Sequence, residues 1–233
     1  MRWLLPLALW ISFCAMPAAE AAPRVALVIG NAGYADAIGR LPNPARDAQL
    51  IATALTEVGF TVTTLIDADQ KAMKRAISDF GQALVAAGPE ATGLFYYAGH
   101  GVQIGGTNYL VPLGADIRSE ADAEIESVDA SWVLKQMEFA GNRVNVVILD
   151  ACRNNPLPRS LRSAGTGLAR MDAPKGSFIA YSTAPGDVAQ DGSGANSPYA
   201  TALAQAIGGA ATPIEEMFRN VRDAVMAATG EAQ

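Results

Sequence analysis

The run Val144-Asn145-Val146-Val147-Ile148-Leu149-Asp150-Ala151-Cys152-Arg153 decides the fold. Its first six residues are apolar except at Asn145, and such a continuous run belongs to a strand covered on both faces, as in parallel sheets. Asp150, Cys152 and Arg153 mark where that strand emerges. Upstream, a second apolar run over residues 94–97 ends in Ala98-Gly99-His100-Gly101. Each run delivers a reactive side chain just past a strand end: a thiol at Cys152 and, at His100, the only imidazole of the chain.

Alternating elements extend outward from these two runs. Residues 25–29 are a β-branched run stopped by Gly30 and predict a first strand. Asn43-Pro44 supplies an N-cap and a proline at the first helical position, and Leu50, Ile51, Ala54, Leu55 and Val58 follow at helical spacing up to a stop at Gly59. Residues 60–66 read as a second strand, and residues 70–87 as a helix with Met73, Ile77, Phe80 and Leu84 on one face. Residues 102–111 form a hairpin turning at Gly105-Gly106. A helix over 130–139, the strand over 144–149, a fifth strand over 178–181 and helices over 199–207 and 214–227 complete the chain. No internal repeat and no linker marks a second domain. The order predicts an α/β fold, a mostly parallel central sheet with helices on both faces. Ligands of such sheets bind beyond the carboxyl ends of the strands, where His100 and Cys152 both fall.

Residues 1–21 read as a secretory signal. Arg2 provides the positive start, residues 3–16 are apolar apart from Ser12 and interrupted by Pro6, and Ala19-Glu20-Ala21 is a small-residue cleavage site. The apolar stretch is short for a membrane span, and bulky Phe13 before Cys14 argues against a lipid anchor. Cleavage after Ala21 is expected, with export to the periplasm or the outside, no stable membrane anchor, and a mature domain over 22–233. A hydrophobic content of 50% suffices for one large core. The net charge of −6 and the lack of a Lys/Arg cluster argue against nucleic acid or an anionic membrane as partner. Removing the signal leaves Cys152 as the one cysteine; an unpaired thiol in an oxidising compartment needs an explanation, and catalysis is one.

The nucleophile is the thiolate, whereas an ordinary thiol is mostly protonated at neutral pH. An imidazole beside it takes the proton and later returns it to a leaving amine. Glycines on both sides of His100 allow a sharp turn and a close substrate approach. The backbone amides of Gly101 and Cys152 are candidates to face the oxyanion of an attacked carbonyl. Gly30-Asn31-Ala32-Gly33 does not fit a dinucleotide fingerprint and no phosphate-loop motif occurs, so no nucleotide cofactor is expected. One histidine and one mature cysteine make no zinc site.

The segments Val25–Asn31 with Tyr34 and Leu41, Asp47-Ala48, Tyr97–Gly101, Asn108–Pro112, Asp150–Arg153, Ala180–Thr183 and Ser197–Tyr199 resemble, in order and over most of the mature chain, the caspase-like cysteine peptidases of clan CD (peptidase family C14), bacterial metacaspases in particular. The resemblance implies the caspase-haemoglobinase α/β fold, with His100 as general base and Cys152 as nucleophile. Caspases carry Q-A-C-[RQG]-G at the nucleophile; this chain has Asp150 for the glutamine and Asn154 for the glycine. In caspases that glutamine helps basic residues hold an aspartate at P1. An acid there, as in metacaspases and paracaspases, implies protein or peptide substrates with Arg or Lys at P1, since a buried carboxylate pairs with a guanidinium through two parallel hydrogen bonds. Asp47 and Asp187 match further acidic positions of Arg-specific relatives and are candidates to complete the pocket; the alternatives are a first-turn acid favoured by the helix dipole for Asp47 and a solvated loop residue for Asp187.

The loop over 154–175 carries Arg159, Arg162, Arg170 and Lys175, which fits an ordinary basic surface loop, with self-nicking where caspases are cut as its functional counterpart. The acidic stretch with Asp116, Glu120, Asp122, Glu124 and Glu126 is read as a solvated loop, with loose calcium binding as its functional counterpart. Family members usually continue into a Pro-Trp segment and a sixth strand. The sequence stops at Gly230-Glu231-Ala232-Gln233, which raises the expectation of a missing edge strand. Two other readings stay open: a catalytically silent caspase-like scaffold, and a cysteine hydrolase acting on something other than peptides.

Overall fold

The structure, a computed structural model, describes residues 21–151, 167–183, 194–231 and 233. Residues 1–20, where a secretory signal is expected, and Cys152, Asp187, Arg159 and Arg162 lie outside the described residues.

Five strands form one parallel sheet: β1 (Arg24–Gly30), β2 (Thr61–Ile66), β3 (Thr92–Ala98), β7 (Val144–Asp150) and β8 (Ser177–Tyr181), in the order β2-β1-β3-β7-β8. Alternation along each strand sorts residues to two faces. Leu27, Ile29, Phe95, Tyr97, Val147 and Leu149 meet α2 (Gln70–Ala87) and α4 (Ser131–Ala140). Ala26, Val28, Leu94, Tyr96, Val146 and Ile148 meet α1 (Pro44–Glu57), α5 (Pro198–Ile207) and α6 (Ile214–Thr229). By the same parity Asp150 faces α1, while Ala151 packs with the opposite core. The polar exception within β7 is accommodated locally: Asn145 Oδ1 accepts from Asn142 Nδ2 at 2.7 Å. Its β3 neighbour is Gly93, where a Cβ would stand only 2.8 Å from that oxygen.

The predicted hairpin is β4 (Gly101–Ile104) and β5 (Thr107–Leu110). Its turn residues Gly105 and Gly106 have φ of 56° and 86°, the left-handed pair that a two-residue hairpin turn requires. The hairpin is not part of the parallel sheet; with β6 (Val128–Asp129), which sequence periodicity did not reveal, it makes a separate antiparallel sheet.

Two local expectations need correction. Residues 120–126 are a helix, α3 (Glu120–Glu126), not a loop: Ser119 caps it by accepting from Asp122 N, and acids in its first turn suit the helix dipole. Asn43 precedes α1 as expected but does not cap it; its φ of −109° and ψ of −29° are helical, and its Oδ1 accepts from Arg46 at 2.6 Å.

β1 sits between β2 and β3, so the chain leaves it in both directions and the carboxyl ends of β1 and β3 form the switch point of the sheet. Buried Asn31 ties that edge together. Its backbone N donates to Ala98 O at 2.9 Å, its Oδ1 accepts from Ala68 N at 2.9 Å, and its Nδ2 reaches Val111 O at 3.3 Å.

Candidate active site

β3 and β7 end level, with Ala98 paired to Asp150, so His100 follows its strand by the same two residues as Cys152 follows the other. Gly101 packs directly on the residue before the thiol: a Cβ there would lie 3.0 Å from the Ala151 Cβ and 3.1 Å from the Ala151 oxygen. Val111 N donates to His100 O at 3.0 Å, which makes the Gly101–Leu110 pair one of the non-hydrogen-bonded kind. The strand ladder therefore makes no use of the Gly101 amide, as an oxyanion donor requires.

His100 is buried and held at its backbone, ring and tautomer. Its Nε2 stands 2.8 Å from Gly39 O. A carbonyl only accepts, so in the neutral ring Nε2 carries the proton and Nδ1 is the basic nitrogen. The Tyr34 ring meets the imidazole edge-on, with centroids 4.7 Å apart and planes at 61°. Tyr34 Oη also accepts from His100 N at 3.1 Å and donates to Val111 O at 2.9 Å. Tyr97 Oη donates to His100 O at 2.8 Å. Burial pushes the Tyr34 hydroxyl up to about 12 and that of Tyr97 well above its ordinary value, so both remain neutral donors.

On the α1 side of the sheet, Asp150 and Asp47 are both fully buried. Tyr96 Oη donates to Asp150 Oδ2 at 3.1 Å, and Ser197 Oγ approaches the same oxygen at 3.5 Å. Asp47 Oδ1 accepts from Ser197 N and from Asn196 Nδ2, each at 2.9 Å. Burial raises the Asp47 carboxyl above its ordinary value, and the charge of Asp150 raises it further; the bonds from Asn196 and Ser197 act in the opposite direction. Two carboxylates from different elements thus meet beside the strand end that carries the thiol.

Of the residues singled out in the sequence, His100, Gly101, Asp150 and Asp47 converge at one edge. Arg170 and Lys175 are exposed. Within the acidic stretch, Asp116 pairs with Arg118 at 2.9 Å and the Asp122 carboxyl is lowered, first by Ser119 and then by the Arg118 backbone. Among the described residues no group of three or more His, Cys, Asp or Glu is placed to hold a metal ion, and no helix is long and apolar enough to cross a membrane. The roles of Gly39, Asn196 and Ser197 escaped the sequence reading. Only Ser197-Pro198 carried a local signal, an N-cap followed by proline, and it does cap α5 by accepting from Ala200 N at 3.1 Å.

The family model of the caspase domain matches residues 23–233. The human mucosa-associated lymphoid tissue lymphoma translocation protein 1 is 33% identical over 132 residues, 56% of this chain and 15% of its own length. The mouse homologue is likewise 33% identical over 132 residues. The chain thus spans about 15% of the length of these curated relatives. Among solved structures, the Drosophila initiator caspase Dronc superposes with a TM-score of 0.61 at 15% identity, over 87% of this chain and 72% of that one. A Geobacter sulfurreducens protein gives a TM-score of 0.61 at 18% identity, over 85% and 88%. At such identities the structural likeness speaks for the fold.

Proposed function

The chain belongs to the caspase-domain family of peptidases, and on that premise we propose that it is a cysteine endopeptidase that cuts proteins or peptides after Arg or Lys. The observation that carries this reading is the convergence of His100 with the two buried acids, Asp47 and Asp150, at the carboxyl edge of the sheet, beside Ala151. In the proposed reaction His100 Nδ1 takes the Cys152 proton, and the thiolate attacks the scissile carbonyl to form a tetrahedral oxyanion facing the Gly101 and Cys152 amides. The C–N bond then breaks, His100 returns its proton to the departing amine, and water hydrolyses the thioester. The Gly39 carbonyl supports the imidazolium formed in between, because it accepts from Nε2 in both protonation states. Asp150 and Asp47 supply the negative charge that receives a guanidinium or ammonium at P1.

Turnover of Arg-, Lys- and Asp-terminated fluorogenic peptides by wild type, Cys152→Ala and Asp150→Asn, with and without calcium, tests this. The reading expects Arg and Lys peptides to be cut by the wild type, abolished turnover in Cys152→Ala, and weakened cationic substrates in Asp150→Asn. Turnover of the Asp peptide would refute the pocket, and silence on all three would favour a binding scaffold. Export with cleavage after Ala21 is part of the proposal; it rests on Arg2, the apolar residues 3–16 and Ala19-Glu20-Ala21. Mass spectrometry of the exported protein should find an N-terminus at Ala22, and a retained Met1 would contradict it.

A further inference from the structure

Beyond the two acids, the connection that leads into α5 carries side chains with no role in the reaction above. It lies across the first turn of α1 and is fastened there at successive residues. Arg46 Nε donates to Ala195 O, Asn196 Nδ2 donates to Asp47 Oδ1 at 2.9 Å, and Ser197 N donates to the same oxygen at 2.9 Å. Arg46 is itself braced by Asn43 Oδ1 at 2.6 Å. Ser197 then reaches the other acid, its Oγ lying 3.5 Å from Asp150 Oδ2.

We propose that Asn196 is a specificity-determining positioning residue, whose side-chain amide sets the Asp47 carboxylate in a fixed orientation beside Asp150 so that the two acids together receive a planar guanidinium in preference to an ammonium. The proposal rests on the Arg/Lys reading given above. The chemistry of the residue fits the task. Asn196 is neutral, so it donates to Asp47 without filling the pocket with a resident cation, as a lysine or arginine there would. A carboxylate turning on its Cβ–Cγ bond has two donors on one oxygen and hence one preferred orientation. Guanidinium recognition depends on that orientation because its donors form a rigid fork, whereas an ammonium is a compact point charge with rotatable donors. The bond from Asn196 also favours the charged form of Asp47 against burial and the charge of Asp150. Asp47 and Asn196 are 149 residues apart, so the contact is made by the fold and not by a local motif.

The test compares the full-length wild type with Asn196→Leu, which keeps the shape of the side chain without its donor, and with Asn196→Ala in case the leucine variant fails to fold. KM and kcat are measured on matched Arg and Lys peptides, with inhibition by agmatine as a guanidinium probe and Cys152 alkylation by iodoacetamide as a report on the thiol. Loss of one hydrogen bond to a charged group is expected to raise KM for the Arg peptide about tenfold with kcat changed less than about twofold. The Lys peptide should suffer less, so the Arg-to-Lys ratio of kcat/KM falls, agmatine inhibits more weakly, and alkylation stays at the wild-type rate. Unchanged Arg KM and agmatine inhibition in a folded variant would overturn the role of Asn196 while leaving the Arg/Lys reading intact. So would a parallel fall for both peptides with slowed alkylation, the mark of general damage. A wild type that neither cuts Arg or Lys peptides nor responds to agmatine would remove the reading itself, and this inference with it.

Discussion

The charge of Asp150, the last residue of β7, opposes ionisation of Asp47 in the first turn of α1. The two are linked through Ser197, whose N donates to Asp47 Oδ1 and whose Oγ lies near Asp150 Oδ2. Like charges held together in a buried place cost stability, and a site that needs them to bind a cation accepts that cost.

Asp47→Asn should separate stability from function. Because the Asp47 carboxyl is raised on folding, its stabilising contribution is complete below the ordinary carboxylate value and is lost as pH rises through the raised folded value. Asparagine keeps an acceptor oxygen without the charge. The variant is therefore expected to melt higher than wild type at neutral pH, with the difference closing toward acid pH. Its KM for Arg peptides should rise, and the fall of the wild-type KM with increasing pH through the Asp47 titration should disappear. Thermal melts and KM profiles against pH check both; a variant less stable at neutral pH contradicts the charge argument.

His100→Ala removes the proposed proton acceptor. Turnover is expected to drop by about 10²–10⁴-fold. The pH at which Cys152 becomes half-reactive toward iodoacetamide should rise toward that of an ordinary thiol. An alkylation profile identical to wild type would show that the imidazole does not act on this thiol.

Tyr34→Phe keeps the ring against the imidazole and deletes only the hydroxyl that His100 N and Val111 O share. Val111 O keeps Tyr97 Oη and Asn31 Nδ2 as donors, so the loss falls on His100 N, and leaving that buried amide unsatisfied should cost about 1–3 kcal/mol in urea unfolding. It should lower kcat with little change in KM, since the acid pocket lies on the other face of the sheet. A midpoint equal to wild type would mean that another acceptor takes up the His100 amide.

Gly101→Ala places a Cβ 3.0 Å from the Ala151 Cβ and 3.1 Å from its oxygen, tight enough that Ala151 must give slightly to accommodate it. The expected result is a fall in kcat through displacement of the thiol or the amide, with folding retained. Kinetics at wild-type level, together with an intact melting curve, would show that Ala151 gives way without moving the site.

Much of this was legible along the chain because it depends on periodicity. The continuous apolar run of β7, the helical stripe of Met73, Ile77, Phe80 and Leu84, and the Gly105-Gly106 turn each have one local solution, and their order implies a parallel sheet. With that sheet come the strand-end positions of His100 and Cys152, and strand parity then sends Asp150 to the face that α1 covers. α3 was hidden because acids that look like a solvated loop also suit a helix N-terminus, and β6 is too short to show a period. Two partners of the site, Gly39 and Asn196, had no local signature at all. Gly39 accepts from His100 through a backbone oxygen, which every residue possesses, and Asn196 meets Asp47 only because α5 packs beside α1. Sequence by itself determined the strands of the parallel sheet, its longer helices and the strand-end places of the reactive groups, since these follow from near-neighbour patterns. Which nitrogen of His100 is basic, and how the two acids are oriented, came from contacts between distant segments that exist only once the sheet is assembled.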